Sequence, residues 1–115
     1  MEFEMKPSIK IPDGQHKGKI TKIEYRDTPY QYTDCFIKES ETELEIKTGF
    51  PSVVSEKSKL GKLLQVFQEI KVGDKNLDPE KILVGKEVTF MTILEKTDTG
   101  EFVKVVPDSI KPIQQ

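Results

Sequence analysis

The stretch SEKSKLGKLLQVFQEI, residues 55–70, decides the fold because it is the one segment with clear helical periodicity. Its apolar side chains recur every three or four residues and form a single stripe, which comprises Leu60, Leu63, Leu64, Phe67 and Ile70. Ser55 or Ser58 can cap the helix, since a serine hydroxyl accepts a hydrogen bond from an unpaired N–H of the first turn. A helix that is apolar on one side needs a sheet to cover, and the remaining chain predicts strands.

Three strand-like runs precede this helix. In HKGKITKIEYRD, which begins at His16, the apolar alternation changes phase between Ile20 and Ile23, and this slip predicts a bulge or a bend. The second run covers residues 30–38. The third, ELEIKTGFP, begins at Glu43 and alternates most regularly between apolar and charged side chains.

Two strand-like runs follow the helix. GKEVTFMTILEK begins at Gly85 and is apolar on both faces, FVKVVP begins at Phe102, and the KTDTGE segment between them predicts a hairpin turn. Residues 78–80, Asp-Pro-Glu, predict the cap and first turn of a short connecting helix. We expect residues 1–13 to form an extended leader and residues 109–115 a short tail.

Length and composition indicate one well-solvated globular domain. The chain has 115 residues, of which 33% are charged and 35% are apolar, and no apolar run approaches membrane-spanning length. The acidic, proline-containing start does not resemble a signal peptide, so we expect a cytoplasmic location and no membrane association. Cys35 and His16 are the only residues of their types, so the sequence predicts no disulfide, no metal site, no cofactor and no enzymatic triad.

The order of the predicted elements, with a bent first strand and the helix between the third and fourth strands, resembles the oligonucleotide/oligosaccharide-binding (OB) fold. The segments that carry the resemblance are HKGKITKIEY, YQYTDCFIK, TGFP before SKLGKLL, and LVGKEVTF. They resemble small single-stranded DNA-binding proteins of the replication protein A-like or phage kind. The resemblance covers about residues 16–107 and implies an all-β fold within a single domain, residues 1–115. That fold is a five-stranded Greek-key barrel with one small helix.

The second predicted strand has two different faces. We assign one face to the core, and it comprises Thr33, Cys35 and Ile37. The other face is the candidate binding surface, and it comprises Tyr30, Tyr32, Asp34 and Phe36. Unpaired bases stack on aromatic rings, and an exposed carboxylate can accept hydrogen bonds from base amino groups. The alternatives are that the rings belong to the core, and that the carboxylate caps a turn or pairs with a lysine.

Basic side chains of the first three predicted strands could follow a phosphate backbone beside these rings. They are Lys19, Lys22, Arg26, Lys38 and Lys47. Glu43 and Glu45 lie on the same predicted face and would repel phosphate. The formal net charge of −2 also lacks the positive excess that is typical of nucleic-acid-binding proteins, so these charges can equally form a solvated surface.

The leading hypothesis is therefore an OB-fold domain that binds single-stranded nucleic acid, DNA in preference to RNA, with low sequence specificity. The alternative is an OB-fold protein–protein interaction module, an accessory subunit in DNA replication or repair. Near-neutral charge favours this alternative, because protein interfaces do not require a positive surface. The sequence leaves open the oligomeric state and the choice among DNA, RNA and protein as the ligand.

Overall fold

A computed structural model describes residues 1–3, 11–98 and 100–113 of the chain. These residues form strands β1 (Gly14–Arg26), β2 (Tyr32–Glu39) and β3 (Glu45–Pro51), helices α1 (Lys59–Phe67) and α2 (Pro79–Leu83), strands β4 (Glu87–Thr97) and β5 (Gly100–Val105), a 3-10 turn (Pro107–Ser109) and strand β6 (Lys111–Pro112). The predicted order of three strands, a helix, a short helix and two strands is confirmed. The sequence did not predict β6.

The strands form one antiparallel sheet in the order β3-β2-β1-β4-β5, and β6 pairs with β4. The chain therefore belongs to the small all-β class that was predicted, with few helices. β3 and β5 are the first and last strands of this order, and they contact each other. Among the described residues, no backbone ladder joins β3 to β5, so backbone pairing does not close the sheet.

β1 is shared by both halves of the sheet. Its first part, through Lys19, pairs with β4, and its second part, from Gly18 onward, pairs with β2. The β1–β2 register shifts between Ile20 and Lys22, which confirms the predicted bulge. Gly18 lies where both partners meet, and a Cβ atom there would be 2.6 Å from the carbonyl oxygen of Lys38. Only glycine fits at this position without moving the backbone of β2.

The core lies on the inner face of the sheet and under α1. Its buried apolar side chains are Ile11, Ile20, Ile23, Cys35, Ile37, Ile46, Phe50, Leu60, Leu63, Leu64, Ile82, Leu83, Val88, Phe90, Val105 and Ile110. Thr33 is buried beside Cys35 and Ile37, so the predicted core face of β2 is confirmed. Burial raises the pKa of the Cys35 thiol to about 12, which keeps it protonated as an ordinary core side chain.

The helix is shorter than its sequence pattern predicted. It begins at Lys59 because the Ser58 hydroxyl accepts a hydrogen bond from the backbone N–H of Gly61 at 3.0 Å. It ends at Phe67, so Ile70, which was part of the predicted apolar stripe, lies in the following loop. The Phe67 side chain is half-buried. Helix α1 packs against β3 and β6, which joins an early strand to the end of the chain.

The C-terminal segment is part of the core rather than the short tail that was predicted. Ile110 is 2% exposed, and Lys111 and Pro112 pair with Thr89 and Val88 of β4. At the other end, Ile11 is also buried, whereas residues 4–10 of the predicted leader lie outside the described residues. A single buried isoleucine has no periodicity, so the sequence pattern could not predict the burial of Ile11 or of Ile110.

The burial of α1 predicts the effect of two substitutions on the free energy of unfolding. Leu64 is fully buried, so Leu64→Ala should lower that free energy by about 2–5 kcal/mol. Lys62 lies on the exposed side of the same helix, so Lys62→Ala should have almost no effect. Urea unfolding followed by circular dichroism measures both, and equal midpoints would show that the helix packs through a different face.

Candidate nucleic-acid interface

The outer face of β1, β2 and β3 brings the predicted aromatic and basic side chains together. In the β2 register, Phe36 pairs with Lys22 of β1 and with Lys47 of β3. Tyr32 pairs with Arg26 of β1 in the same way. Both rings are half-buried, whereas the side chains that alternate with them on β2 fill the core. The sheet therefore presents two rings in a row, each with a cation on the neighbouring strand.

Arg26, Asp34 and Tyr32 form one packed cluster on this face. The Arg26 Nε lies 2.6 Å from Asp34 Oδ2, and Arg26 Nη2 donates to Asp34 Oδ1 at 3.1 Å. The Arg26 guanidinium carbon lies 5.0 Å from the centre of the Tyr32 ring. Asp34 is 2% exposed, so the expectation that its carboxylate is exposed was wrong. The partner of this buried charge is an arginine rather than the lysine considered as an alternative, and it donates one hydrogen bond to Oδ1 while its Nε lies beside Oδ2.

Gly49 of β3 makes room for this cluster. A Cβ atom at position 49 would lie 2.9 Å from Asp34 Oδ1 and 3.1 Å from Cδ2 of Tyr32. Any larger residue would push the carboxylate or the ring out of place. Because glycine has no Cβ, the Asp34 carboxylate and the Tyr32 ring can occupy the space beside β3.

The second ring, Phe36, also has a cation above it, but this cation is paired with an exposed carboxylate rather than a buried one. Lys22 Nζ lies 4.4 Å from the centre of the Phe36 ring and 3.1 Å from Glu24 Oε1. The Lys22 and Glu24 side chains are 50% and 54% exposed. Exposed ion pairs contribute about 0–1 kcal/mol, so a ligand can separate this pair at little cost.

The remaining predicted site residues lie at the borders of the face. Lys19 and Lys38 pair across β1 and β2 at one end, and both are exposed, as is Lys47 on β3. Tyr30 is 72% exposed but lies in the turn before β2, so its assignment to the strand was wrong. Glu45 accepts a hydrogen bond from Thr21 Oγ1 at 3.2 Å and adds the negative charge expected there.

A second group of titratable side chains, His16 and Glu39, has a structural role. The His16 side chain is 9% exposed, with Nε2 2.6 Å from the carbonyl oxygen of Pro12 and Nδ1 3.5 Å from Glu39 Oε1. The buried Glu39 carboxylate accepts hydrogen bonds from the backbone N–H groups of Glu41 and Thr42. These contacts hold the turn between β2 and β3.

The β4–β5 hairpin exposes several apolar side chains. Met91, Ile93 and Phe102 are 46%, 45% and 53% exposed. Ile93 pairs with Lys104, and Phe102 pairs with Glu95, so Ile93 and Phe102 share the outer face with the ion pair between Lys104 and Glu95. The sequence signal for this surface is that β4 is apolar on both faces, but the pattern could not tell which face is exposed.

Other kinds of site receive no support in the part of the chain that the structure describes. No group of three or more His, Cys, Asp or Glu side chains there is arranged to hold a metal ion. Neither described helix is long and apolar enough to cross a bilayer. Comparison with protein-family models and with curated proteins found no match to this chain.

The buried position of Asp34 predicts a coupling with Arg26. Arg26→Gln should lower the free energy of unfolding by about 1–3 kcal/mol, because it leaves a buried carboxylate without its charged partner. Adding Asp34→Asn should restore part of this loss, since the amide carries no charge. Urea unfolding of both single variants and the double variant measures the coupling, and strictly additive losses would contradict it.

Proposed function

We propose that this chain is an OB-type barrel that binds single-stranded nucleic acid, DNA in preference to RNA, with little sequence preference. The proposed architecture is supported by the sheet order, by the sharing of β1 between β2 and β4, and by α1 between β3 and β4. Closure across β3 and β5, which lie side by side, would complete a Greek-key barrel. The preference for DNA follows from the resemblance to phage-type proteins.

The observation that carries the proposed function is the outer face of β1–β3, where Tyr32 and Phe36 lie in a row, with Arg26 of β1 beside Tyr32 and with Lys22 and Lys47 on either side of Phe36. Bases of a single strand are unpaired and can stack on such a row, and this contact is tolerant of sequence because every base has a flat face. In this proposal Lys22 and Lys47 contact phosphates on either side of Phe36. Tyr30 offers a further ring at the edge of the face.

The charge of this face limits the affinity. Glu24, Asp34 and Glu45 lie among the cations, and two of these acids form ion pairs with them. Phosphate contacts are the main source of affinity for most nucleic-acid-binding proteins, and their number is small here. We therefore expect modest affinity with a weak dependence on salt concentration.

Fluorescence anisotropy of a labelled single-stranded oligonucleotide at low and moderate salt tests the proposal. Phe36→Ala should weaken binding by ~1–3 kcal/mol, because one stacking ring is removed. Lys62→Ala, on the exposed side of α1, should bind like the unmodified protein. A urea midpoint near that of the unmodified protein would show that Phe36→Ala has not unfolded the sheet. Absence of binding at low salt by the unmodified protein would contradict the proposal.

A second candidate function, a protein–protein interaction module in replication or repair, is favoured by the exposed apolar side chains of the β4–β5 hairpin. Interfaces are enriched in Met and Phe at their centres, and Met91, Ile93 and Phe102 are all exposed on this hairpin. Light scattering tests self-association through this surface. A protein that stays monomeric and captures only nucleic acid would contradict this second function.

A further inference from the structure

The Arg26 side chain is held in one position by two neighbours. Its Nε and Nη2 atoms face the two carboxylate oxygens of Asp34 at 2.6 and 3.1 Å, and its guanidinium carbon lies over the Tyr32 ring. Despite these contacts the Arg26 side chain is 40% exposed, whereas the Asp34 side chain is 3% exposed. A ligand can therefore reach the arginine from solvent but not its carboxylate partner.

This geometry separates two roles that an arginine can have in nucleic-acid binding. A phosphate binds a guanidinium best through two in-plane N–H groups at one edge, and Asp34 already faces the edge formed by Nε and Nη2, so only the edge formed by Nη1 and Nη2 is left for a phosphate. Displacing Asp34 would leave a buried carboxylate without a partner, which is costly. A base needs only the flat surface of the guanidinium, because bases stack on arginine planes as well as on aromatic rings.

We propose that Arg26 is a base-stacking residue rather than a phosphate contact, and that Asp34 and Tyr32 position it for this role. The inference rests on the proposed function and adds to it a specific contact, in which an unpaired base stacks on the Arg26 guanidinium. A duplex, in which the bases are already stacked on each other, offers phosphates but no such surface. The pair of Arg26 and Asp34 carries no net charge, so this half of the face recognises bases without attracting phosphate.

The other half of the face, around Phe36, differs in the carboxylate that pairs with its cation and in the shape of the cationic group. Lys22 is paired with an exposed Glu24 rather than with a buried carboxylate, and an ammonium group has no flat surface for a base. Lys22 and Lys47 lie on either side of Phe36 in the strand register. The face is thus divided into a neutral stacking half around Tyr32 and a phosphate-contacting half around Phe36.

The experiment compares two strands that share a phosphate backbone. One is a labelled thymine oligonucleotide, and the other is the same strand with abasic sites in place of the thymines. Arg26→Lys keeps a positive charge beside Asp34 but removes the planar group. It should weaken binding of the thymine strand by about tenfold, which is near the lower end of the free energies measured for stacking one base. Binding of the abasic strand should not change.

The salt dependence gives an independent reading. The double variant Arg26→Gln/Asp34→Asn removes both charges, so neither is left unpaired. It can therefore be used in the binding test if a single variant does not fold. Its affinity for the thymine strand should fall while the slope of log affinity against log salt stays unchanged. Lys47→Gln is the control, and it should weaken both strands equally and reduce that slope by about 0.7.

Two results would overturn the inference while leaving the proposed function in place. One is that Arg26→Lys binds the thymine strand as tightly as the unmodified protein does. The other is that the double variant loses equal affinity for both strands and reduces the slope by about 0.7, as a phosphate contact would. Failure of the unmodified protein to bind the thymine strand at low salt would instead remove the proposed function, and the inference with it.

Discussion

The close approach of β1 to two partners at Gly18 is the constraint on which the rest of the structure depends. Gly18 pairs with Val88 of β4 on one edge and with Glu39 of β2 on the other. A side chain there would meet the β2 backbone at 2.6 Å and the ring of Phe90 at 3.0 Å. Because the glycine allows both contacts, one strand can bend and join the β2–β3 half of the sheet to the β4–β5 half.

The bend also places the candidate site. Beyond the register shift at Lys22, the outward side chains of β1 lie against the outward side chains of β2, which brings Arg26 beside Tyr32 and Lys22 beside Phe36. The cations come from one strand and the rings from another, so neither strand alone forms the face. A slip of either strand by one residue would turn its outward side chains toward the core and separate the cations from the rings.

Local patterns predicted the parts of the structure that depend on local chemistry. The alternation of Thr33, Cys35 and Ile37 identified the core face of β2, and the phase slip near Ile20 identified the bulge. The burial of Asp34 could not be predicted, because it depends on an arginine on another strand and on the absence of a side chain at Gly49. The core position of Ile110 was missed because a single buried residue has no period.

The central claim is that the outer face of β1–β3 binds single-stranded nucleic acid. Titration of the ¹⁵N-labelled protein with an unlabelled single-stranded oligonucleotide, followed by amide chemical shifts, tests it most directly. We expect the largest shifts at Lys22, Arg26, Tyr32, Phe36 and Lys47, with little change along α1. Shifts confined to the β4–β5 hairpin, or no shifts at saturating oligonucleotide, would contradict it.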